Sequence, residues 1–327
     1  MSYQSDYSGA QVDEAVGKAL NPDATPTEGS ANLVQSGGVA SAVSAVMNSV
    51  SRRNLLDNWY FVGGGSQQGG GQFPINQRGK TVYTAGYCID RWHNEGLSGS
   101  STELVSGGLK LTNTTSQRAR ISQAFESSLI SFLTGKYCTI SAIVDGVLYS
   151  AIKPMFANNS SVSVGPLDVF SPTGSNSLII QLTASNPART ATISAVKLEL
   201  GSVSTLANDA PPNFAEELAK CQRYYWNSGF TSSAVGIFFG LSNAAGNNFS
   251  VYVPTPVTMR NVTPTITATV AWVRGEGAPI TGYSLNTINA TIVSGYVATI
   301  SIDKTSGFSA LKMYAVAFSE LNVSCDL

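Results

Sequence analysis

The chain has a single histidine, His93, and this is the residue best suited to proton transfer near neutral pH. It lies in the run Trp92-His93-Asn94-Glu95-Gly96, beside an aromatic residue and a turn. A hydrolytic triad would have to use this imidazole, and no Gly-x-Ser-x-Gly motif is present to expose a serine nucleophile. We therefore expect His93 to be structural, and we predict no catalytic residue and no enzymatic activity.

Cysteines and carboxylates are the other residues that could do chemistry, as metal ligands. The cysteines form no Cys-x-x-Cys pair, which argues against a zinc or redox motif; they are Cys88, Cys138, Cys221 and Cys325. No Asp-x-Asn-x-Asp calcium loop is present, although four carboxylates lie in or near predicted loops, namely Asp57, Asp90, Glu95 and Asp168. We expect no cofactor, and a structural calcium ion is the single alternative left open.

Charge and hydropathy exclude further classes of protein. The chain has 19 Lys and Arg against 20 Asp and Glu, so a net charge of −1 gives no cationic field to attract nucleic acid. Hydrophobic residues make up 43 % of the sequence, which is enough to build packed cores. No apolar run approaches the roughly 18 residues of a membrane span, and the first residues do not resemble a signal peptide. We expect no nucleic-acid binding and no membrane insertion.

Aromatic residues are combined with very few charges in the last part of the chain. Residues 224–327 hold four basic and four acidic side chains. Aromatic rings stack on the apolar faces of sugars, and neutral amides and hydroxyls match sugar hydroxyls. Most aromatic residues of a β protein belong to its core, so only those near the loops are candidates. The predicted glycan-binding residues are Tyr252, Trp272 and Tyr283.

Helix signals that could position these groups begin in the first fifty residues. Ser8 and Gln11 are the two halves of a capping box, and Asn21-Pro22 ends the predicted helix. A second helix is predicted over residues 37–51. Its valines recur at steps of four, three and four, which is typical of a short coiled coil: Val39, Val43, Val46 and Val50. We expect this seam to drive self-association, and an ordinary helix packed on its own domain is the alternative.

Short β segments bounded by Gly, Pro, Asn and Ser begin at residue 54. They predict a β-sandwich with strands at residues 102–105, 109–112, 137–144, 147–152, 177–183 and 191–200. A Gly-rich stretch within it, residues 63–72, is predicted to be an exposed loop. Asn213 and Glu216 then form a second capping pair, which predicts a single linker helix.

A second set of β segments occupies the end of the chain. Strands are predicted at residues 236–240, 248–253, 265–272, 289–293, 296–302 and 312–318. The sequence therefore predicts a mainly β protein with four parts. They are an N-terminal helical segment at 1–53, a β-sandwich at 54–205, a linker helix at 206–226 and a C-terminal β-sandwich tip at 227–327.

Several runs between residues 54 and 225 resemble, in the same order, a domain that recurs in bacteriophage tail-fibre proteins. The runs are NLLDNWYF from residue 54, INQRG from 75, YCIDRW from 87, QAFE from 123, LTGKYCTIS from 133, VKLELG from 196 and EELAKCQRYY from 216. The first fifty residues and the run PVTMR from residue 256 are similar to other parts of such fibres, less specifically.

This resemblance implies a jelly-roll fold similar to carbohydrate-binding modules, a homotrimer joined at the valine seam, and a role in host attachment. The N-terminal segment would dock to another tail or baseplate protein, the jelly roll would be a spacer, and the tip would bind a host cell-surface glycan. The protein would lie in the virion tail after assembly in the bacterial host cytoplasm. The run Asp90-Arg91-Trp92 is interpreted as an internal salt bridge under an aromatic lid.

Two other functions remain as alternatives. A tailspike-like depolymerase or esterase would act on the same glycan, since the separation of two catalytic carboxylates is a property of the fold and not of the sequence. It predicts release of sugar or acetate that is lost when one carboxylate or His93 is changed. A structural baseplate adaptor would instead use the tip to bind another particle protein, and it predicts incorporation into particles without adsorption to cells.

Overall fold

The computed structural model describes residues 8–24, 34, 38–39, 41–43, 46, 52–63, 73–245, 247–260, 265–275, 278–280, 283–284, 292–293, 297–304, 308–309 and 312–325. Within them the protein is mainly β, with several antiparallel sheets, which confirms the predicted fold class at this level. The chain divides into two compact units, one of Met1–Arg53 with Val203–Ala210 and one of Asn54–Ser202 with Pro211–Leu327. No described helix is long and apolar enough to cross a membrane.

The smaller unit contains helix α1, which spans Gly9–Leu20 and begins with the predicted capping box. The Ser8 hydroxyl accepts a hydrogen bond from the Gln11 backbone, and the Gln11 side chain accepts one from the Ser8 backbone. Residues 38–39, 41–43 and 46 are helical as well, and the predicted seam residues among them are all exposed, namely Val39, Val43 and Val46. Val50 lies outside the described residues, and the trimer at this seam stays a prediction.

The larger unit begins with two six-stranded antiparallel sheets in a sandwich-like arrangement. The first sheet runs in the order β1 (Val82–Tyr83), β4 (Ser101–Val105), β5 (Gly108–Thr112), β12 (Thr190–Leu200), β7 (Tyr137–Val144) and β8 (Val147–Pro154). The second runs in the order β2 (Gly86–Tyr87), β3 (His93–Asn94), β6 (Ala119–Ala124), β11 (Ser177–Leu182), β10 (Leu167–Phe170) and β9 (Ser161–Val164). A short helix, α2 (Ser127–Leu133), precedes β7.

All six predicted strands of this region exist, and their boundaries differ from the prediction by at most two residues. Strands β1, β2, β3, β6, β9 and β10 and helix α2 were not predicted. Buried apolar side chains alternate along the strands, as in β6, where Ala119 and Ile121 are buried between partly exposed neighbours. The predicted loop at residues 63–72 lies outside the described residues except for Gly63, which is in a turn.

A nine-stranded antiparallel sheet forms the end of the chain. Its order is β17 (Ala278–Ile280), β16 (Thr265–Gly275), β21 (Met313–Ser324), β14 (Gly236–Ser242), β15 (Asn248–Pro254), β20 (Val297–Lys304) and β18 (Tyr283–Ser284). Strand β13 (Tyr225–Asn227) pairs with β21, and β19 (Ile292–Val293) pairs with β20. The six strands predicted here all overlap observed strands. One face of the sheet packs into a single hydrophobic core.

Helix α3 (Phe214–Gln222) leads into this sheet and begins at Asn213, whose side chain accepts from the Glu216 backbone as predicted. The two tyrosines after the helix are held by arginines of the first β region. The Arg91 guanidinium lies 3.5 Å from the centre of the Tyr224 ring, and that of Arg78 lies 3.7 Å from the Tyr225 ring.

Hydrogen bonds to the backbone carbonyls of both tyrosines fix the same segment. The Gln77 side-chain amide donates to the Tyr225 carbonyl at 2.7 Å, and the Cys325 N–H donates to the Tyr224 carbonyl at 2.6 Å. We call this region the junction and define it by Gln77, Arg78, Arg91, Tyr224 and Tyr225. The junction attaches the nine-stranded sheet to the two six-stranded sheets through paired polar groups.

The expected salt bridge inside the run Asp90-Arg91-Trp92 is replaced by longer-range pairs. Arg91 has a positive φ of 73°, and its Nε lies 3.2 Å from an Asp57 carboxylate oxygen. Asp90 is fully buried and faces Arg78, with a nitrogen–oxygen distance of 3.8 Å. Trp92 is fully buried in the core, and the ring that covers Arg91 belongs to Tyr224 of the junction. The interpretation of these residues as structural fits this arrangement, but the predicted partner and lid were wrong.

Candidate functional site

The nine-stranded sheet has one face that remains exposed although it carries large apolar side chains. Its inner face buries Phe249, Val251, Ile300, Val316 and Phe318, among others. Five large side chains on the other face are 49–64 % exposed: Ile237, Phe239, Leu241, Tyr252 and Met313. We call this surface the open face. Apolar surfaces of this kind mark binding sites more often than single exposed residues do.

Strand β14 shows how the sequence produces this surface. It is apolar at nearly every position, so that both of its faces carry large side chains. Phe238 points inward and packs against Phe318, with ring centres 5.8 Å apart, whereas Ile237 and Phe239 point outward. Gly240 allows close approach to β15, because a Cβ there would meet the Ser250 carbonyl oxygen at 2.0 Å. A strand that is apolar on both faces is typical of one that is covered on both.

The strand register places the exposed residues in rows across the sheet. Phe239 of β14 is paired with Ala315 of β21, which is paired with Arg274 of β16. Leu241 is paired with Met313 on one side and with Ser250 of β15 on the other. Neighbouring strands are about 4.8 Å apart, so each row is a continuous strip of side chains.

Two hollows lie on the open face between these rows. The larger has a volume of about 580 Å³ and is lined by Ile237, Phe239, Trp272, Arg274, Met313 and Ala315, together with Lys312 and Tyr314. The smaller, of about 360 Å³, is lined by Phe239, Leu241, Ser250, Tyr252 and Met313, with Gly240. No carboxylate is among the described residues that line the hollows, and the formal charges of these lining residues are those of Arg274 and Lys312.

Two of the three predicted glycan-binding residues lie at these hollows. Tyr252 lines the smaller one and is 62 % exposed. Trp272 lines the larger one, where the Arg274 guanidinium lies 4.8 Å from its ring centre. The backbone of Tyr283 belongs to β18, but its side chain lies outside what the structure describes. The face therefore brings Tyr252 and Trp272 onto one surface, at opposite sides of β14 and β21.

Sequence reasoning missed the residues between these two aromatics. Ile237, Phe239, Leu241 and Met313 are the exposed centre of the face. The available signal was the run GIFFGL in β14, where large apolar residues occupy consecutive positions without the polar alternation of a half-buried strand. This run predicts a strand that is covered on both faces, but it does not predict which residues cover the second face.

The candidate calcium ligands are occupied by other groups. Asp57 and Asp90 pair with arginines as described above, and Glu95 pairs with Arg120 at 2.7 Å. Asp168 accepts a hydrogen bond from the Ser163 hydroxyl at 3.2 Å. In the part of the chain that the structure describes, no three His, Cys, Asp or Glu side chains are close enough to hold a metal ion.

His93 lies in the second six-stranded sheet, away from any hollow reported above. Its ring meets the Tyr87 ring edge to face, with centres 5.2 Å apart. Ser122 is its neighbour on strand β6, yet no hydrogen bond joins the two side chains among the described residues.

Comparison of the sequence with models of protein families and with curated proteins found no match.

Proposed function

We propose that the protein is a non-catalytic tail-fibre protein of a phage or phage-like particle, and that it attaches to the host by binding a cell-surface glycan. The observation that carries the proposal is the open face, where the exposed Tyr252 and the partly buried Trp272 border hollows whose described lining residues include no carboxylate. Such a surface suits a neutral ligand that offers a flat apolar side and hydroxyl groups.

The chemistry of binding follows from the groups at each hollow. A sugar ring would stack on Tyr252 and place its hydroxyls near Ser250, whose own hydroxyl already shares a hydrogen bond with Ser301. A second ring would stack on Trp272, where the Arg274 guanidinium offers N–H donors to sugar oxygens. Binding at one such shallow surface is weak, because much of the ligand's surface stays in contact with water.

Trimerisation compensates for weak single sites in this proposal. The exposed valines Val39, Val43 and Val46 form the seam of a short trimeric coiled coil, which presents three tips to one cell surface. The finer architecture belongs to the same proposal: a jelly roll as spacer, a linker helix, and the tip. The N-terminal segment docks to another tail or baseplate protein, which places the protein in the virion tail.

The proposal is tested by adsorption of the full-length protein to host cells and by competition with isolated host glycans. Changing Tyr252 to alanine is expected to lower binding by about twofold to tenfold, since one aromatic stacking contact contributes roughly 0.5–1.5 kcal/mol. Tyr137→Ala is the matched control, because Tyr137 is exposed to 64 % on the first six-stranded sheet, against 62 % for Tyr252. Equal loss in both variants, or adsorption that no glycan competes, contradicts the assignment.

One observation favours the adaptor alternative. Ile237, Leu241 and Met313 are aliphatic and sulfur-containing side chains, which suit a protein partner better than a sugar. An adaptor would be incorporated into particles through the open face, and the Tyr252→Ala variant would then lose incorporation rather than adsorption.

A further inference from the structure

The two hollows of the open face differ in the charges of their described lining residues. The smaller hollow, beside Tyr252, has no charged residue among them. The larger hollow has two, the guanidinium of Arg274 and the ammonium of Lys312, and no carboxylate. Both of these side chains are exposed. The two hollows therefore suit different chemical groups on a ligand.

A described carboxylate of the same sheet, that of Glu320, lies away from the larger hollow. Arg274 is paired with Ala315 of β21, and Glu320 is five positions further along that strand, which is roughly 17 Å of extended chain. Its two oxygens accept hydrogen bonds from the Thr269 hydroxyl at 3.2 Å and the Asn322 amide at 3.0 Å. This carboxylate therefore does not neutralise the larger hollow.

Trp272 positions the Arg274 side chain at the hollow. The guanidinium lies 4.8 Å from the centre of the indole ring, within the range of a cation–π contact. A guanidinium carries its N–H donors in its own plane, so contact with a ring leaves them able to bind other groups. Two parallel N–H donors of this kind match the two oxygens of a carboxylate or a phosphate.

We propose that the larger hollow binds an acidic substituent of the glycan, either a carboxylate or a phosphate ester. Arg274 holds two oxygens of that group, and Lys312 adds a second positive charge beside it. The ring that bears the group stacks on Trp272. This inference rests on the proposed attachment function and names the class of glycan that the tip prefers.

The spacing of the two aromatic residues indicates a ligand of more than one ring. Tyr252 is on β15 and Trp272 is on β16, and the strands between them are β14 and β21. Three strand spacings correspond to roughly 14 Å across the sheet. The proposed function needs only a neutral sugar on the open face. The charges of the larger hollow add a preference for a chain that is neutral at Tyr252 and acidic at Trp272.

Competition against adsorption of the full-length protein tests the inference. The competitor is the isolated host glycan in three forms: untreated, with its carboxylates reduced to alcohols, and with its phosphate esters hydrolysed. One of the two treatments is expected to raise the concentration needed for half-maximal competition by about threefold to tenfold. The treatment that does so identifies the acidic group. Added salt should reduce this difference, because the screening length falls from about 30 Å at 0.01 M to about 3 Å at 1 M.

Variants of Arg274 assign the preference to the larger hollow. Arg274→Gln should bind the treated and untreated glycans about equally, whereas Arg274→Lys, which keeps the charge but not the paired donors, should retain part of the difference. Arg118→Gln is the matched control, because Arg118 is also exposed, lies in the first β region and changes the net charge by the same amount. It should keep the full difference.

Two results overturn the inference while the attachment function stands. In the first, all three forms of the glycan compete equally with the unchanged protein, so that no acidic group is recognised. In the second, the difference persists undiminished in Arg274→Gln, so that the acidic group is bound elsewhere. A third result, in which no form of the glycan competes, rejects the attachment function itself and the inference with it.

Discussion

The junction and the open face place charged and apolar groups in opposite ways. In the junction, the arginines Arg78 and Arg91 and the nearby Asp90 lie largely out of water, stacked on rings and facing opposite charges. On the open face, residues such as Phe239 and Met313 are more than half exposed. The usual distribution puts charges outside and large apolar groups inside. Both regions reverse it.

The difference teaches where each region finds its partner. Charges can be buried in the junction because their partners belong to the same chain and are in place once it folds. The open face finds no partner within the described chain, so its apolar side chains remain in water. The junction, whose polar groups are paired within the chain, stabilises the fold. The open face, whose apolar side chains are not covered by the described chain, is a candidate surface for binding another molecule. Variants in the two regions should therefore change different measurements.

The largest expected effect compares the two sides of the nine-stranded sheet. Phe249→Ala should lower the free energy of unfolding by about 3–5 kcal/mol, because Phe249 is fully buried in the core. Phe239→Ala, on the neighbouring strand but facing outward, should lower it by less than about 1 kcal/mol in dilute solution. Urea unfolding measures both. If both variants lowered the free energy of unfolding equally, Phe239 would have to be covered within its own chain, and the two faces of the sheet would not differ.

The next effect concerns the junction. Arg91→Ala should lower the free energy of unfolding by about 3 kcal/mol, the lower end for a broken buried pair, because Asp57 keeps partial contact with water. The variant also loses the hydrogen bond to the Ala124 carbonyl and the contact with the Tyr224 ring. Urea unfolding is again the measurement.

Lys110→Ala is the matched control for the junction variant. Lys110 forms a partly exposed pair with Glu103 at 3.0 Å, and removing a pair that water can reach costs about 1 kcal/mol or less. If Arg91→Ala and Lys110→Ala lower the free energy of unfolding by the same small amount, the junction stabilises the protein no more than a surface ion pair does. The comparison with the open face then fails.

Local features of the fold could be predicted from the sequence. The capping residues Ser8 and Asn213 were identified correctly because a cap depends on residues three positions away. Strand β7 was predicted with its observed ends, since an apolar run there is bounded by Gly135 and by Asp145-Gly146. Strand β3, with two residues, escaped because so short an element exists only through its partners.

The partners of side chains were harder to predict than the elements. Asp90 and Arg91 are adjacent in sequence, yet they pair with residues 12 and 34 positions away, because the positive φ of Arg91 turns the chain between them. Tyr252 and Trp272 were chosen as aromatics near loops, and their role in glycan binding stays a prediction. The exposed centre of the open face, with Ile237, Phe239, Leu241 and Met313, could not be predicted, because exposure depends on the absence of a covering layer, and no residue type encodes that.

The smallest effect uses pH to probe the junction. Burial, opposed in part by Arg91 and assisted by a hydrogen bond to Glu126, raises the pKa of Tyr224 from 10.0 to about 12. The folded state thus holds this proton more tightly than the unfolded state does. Its contribution to stability is complete below pH 10 and is lost between about pH 10 and 12, by roughly 1–2 kcal/mol after allowance for residual solvent. Tyr224→Phe should show a correspondingly shallower loss in urea unfolding across this range. An identical pH profile for Tyr224→Phe and the unchanged protein would mean that burial in the junction does not hold this proton.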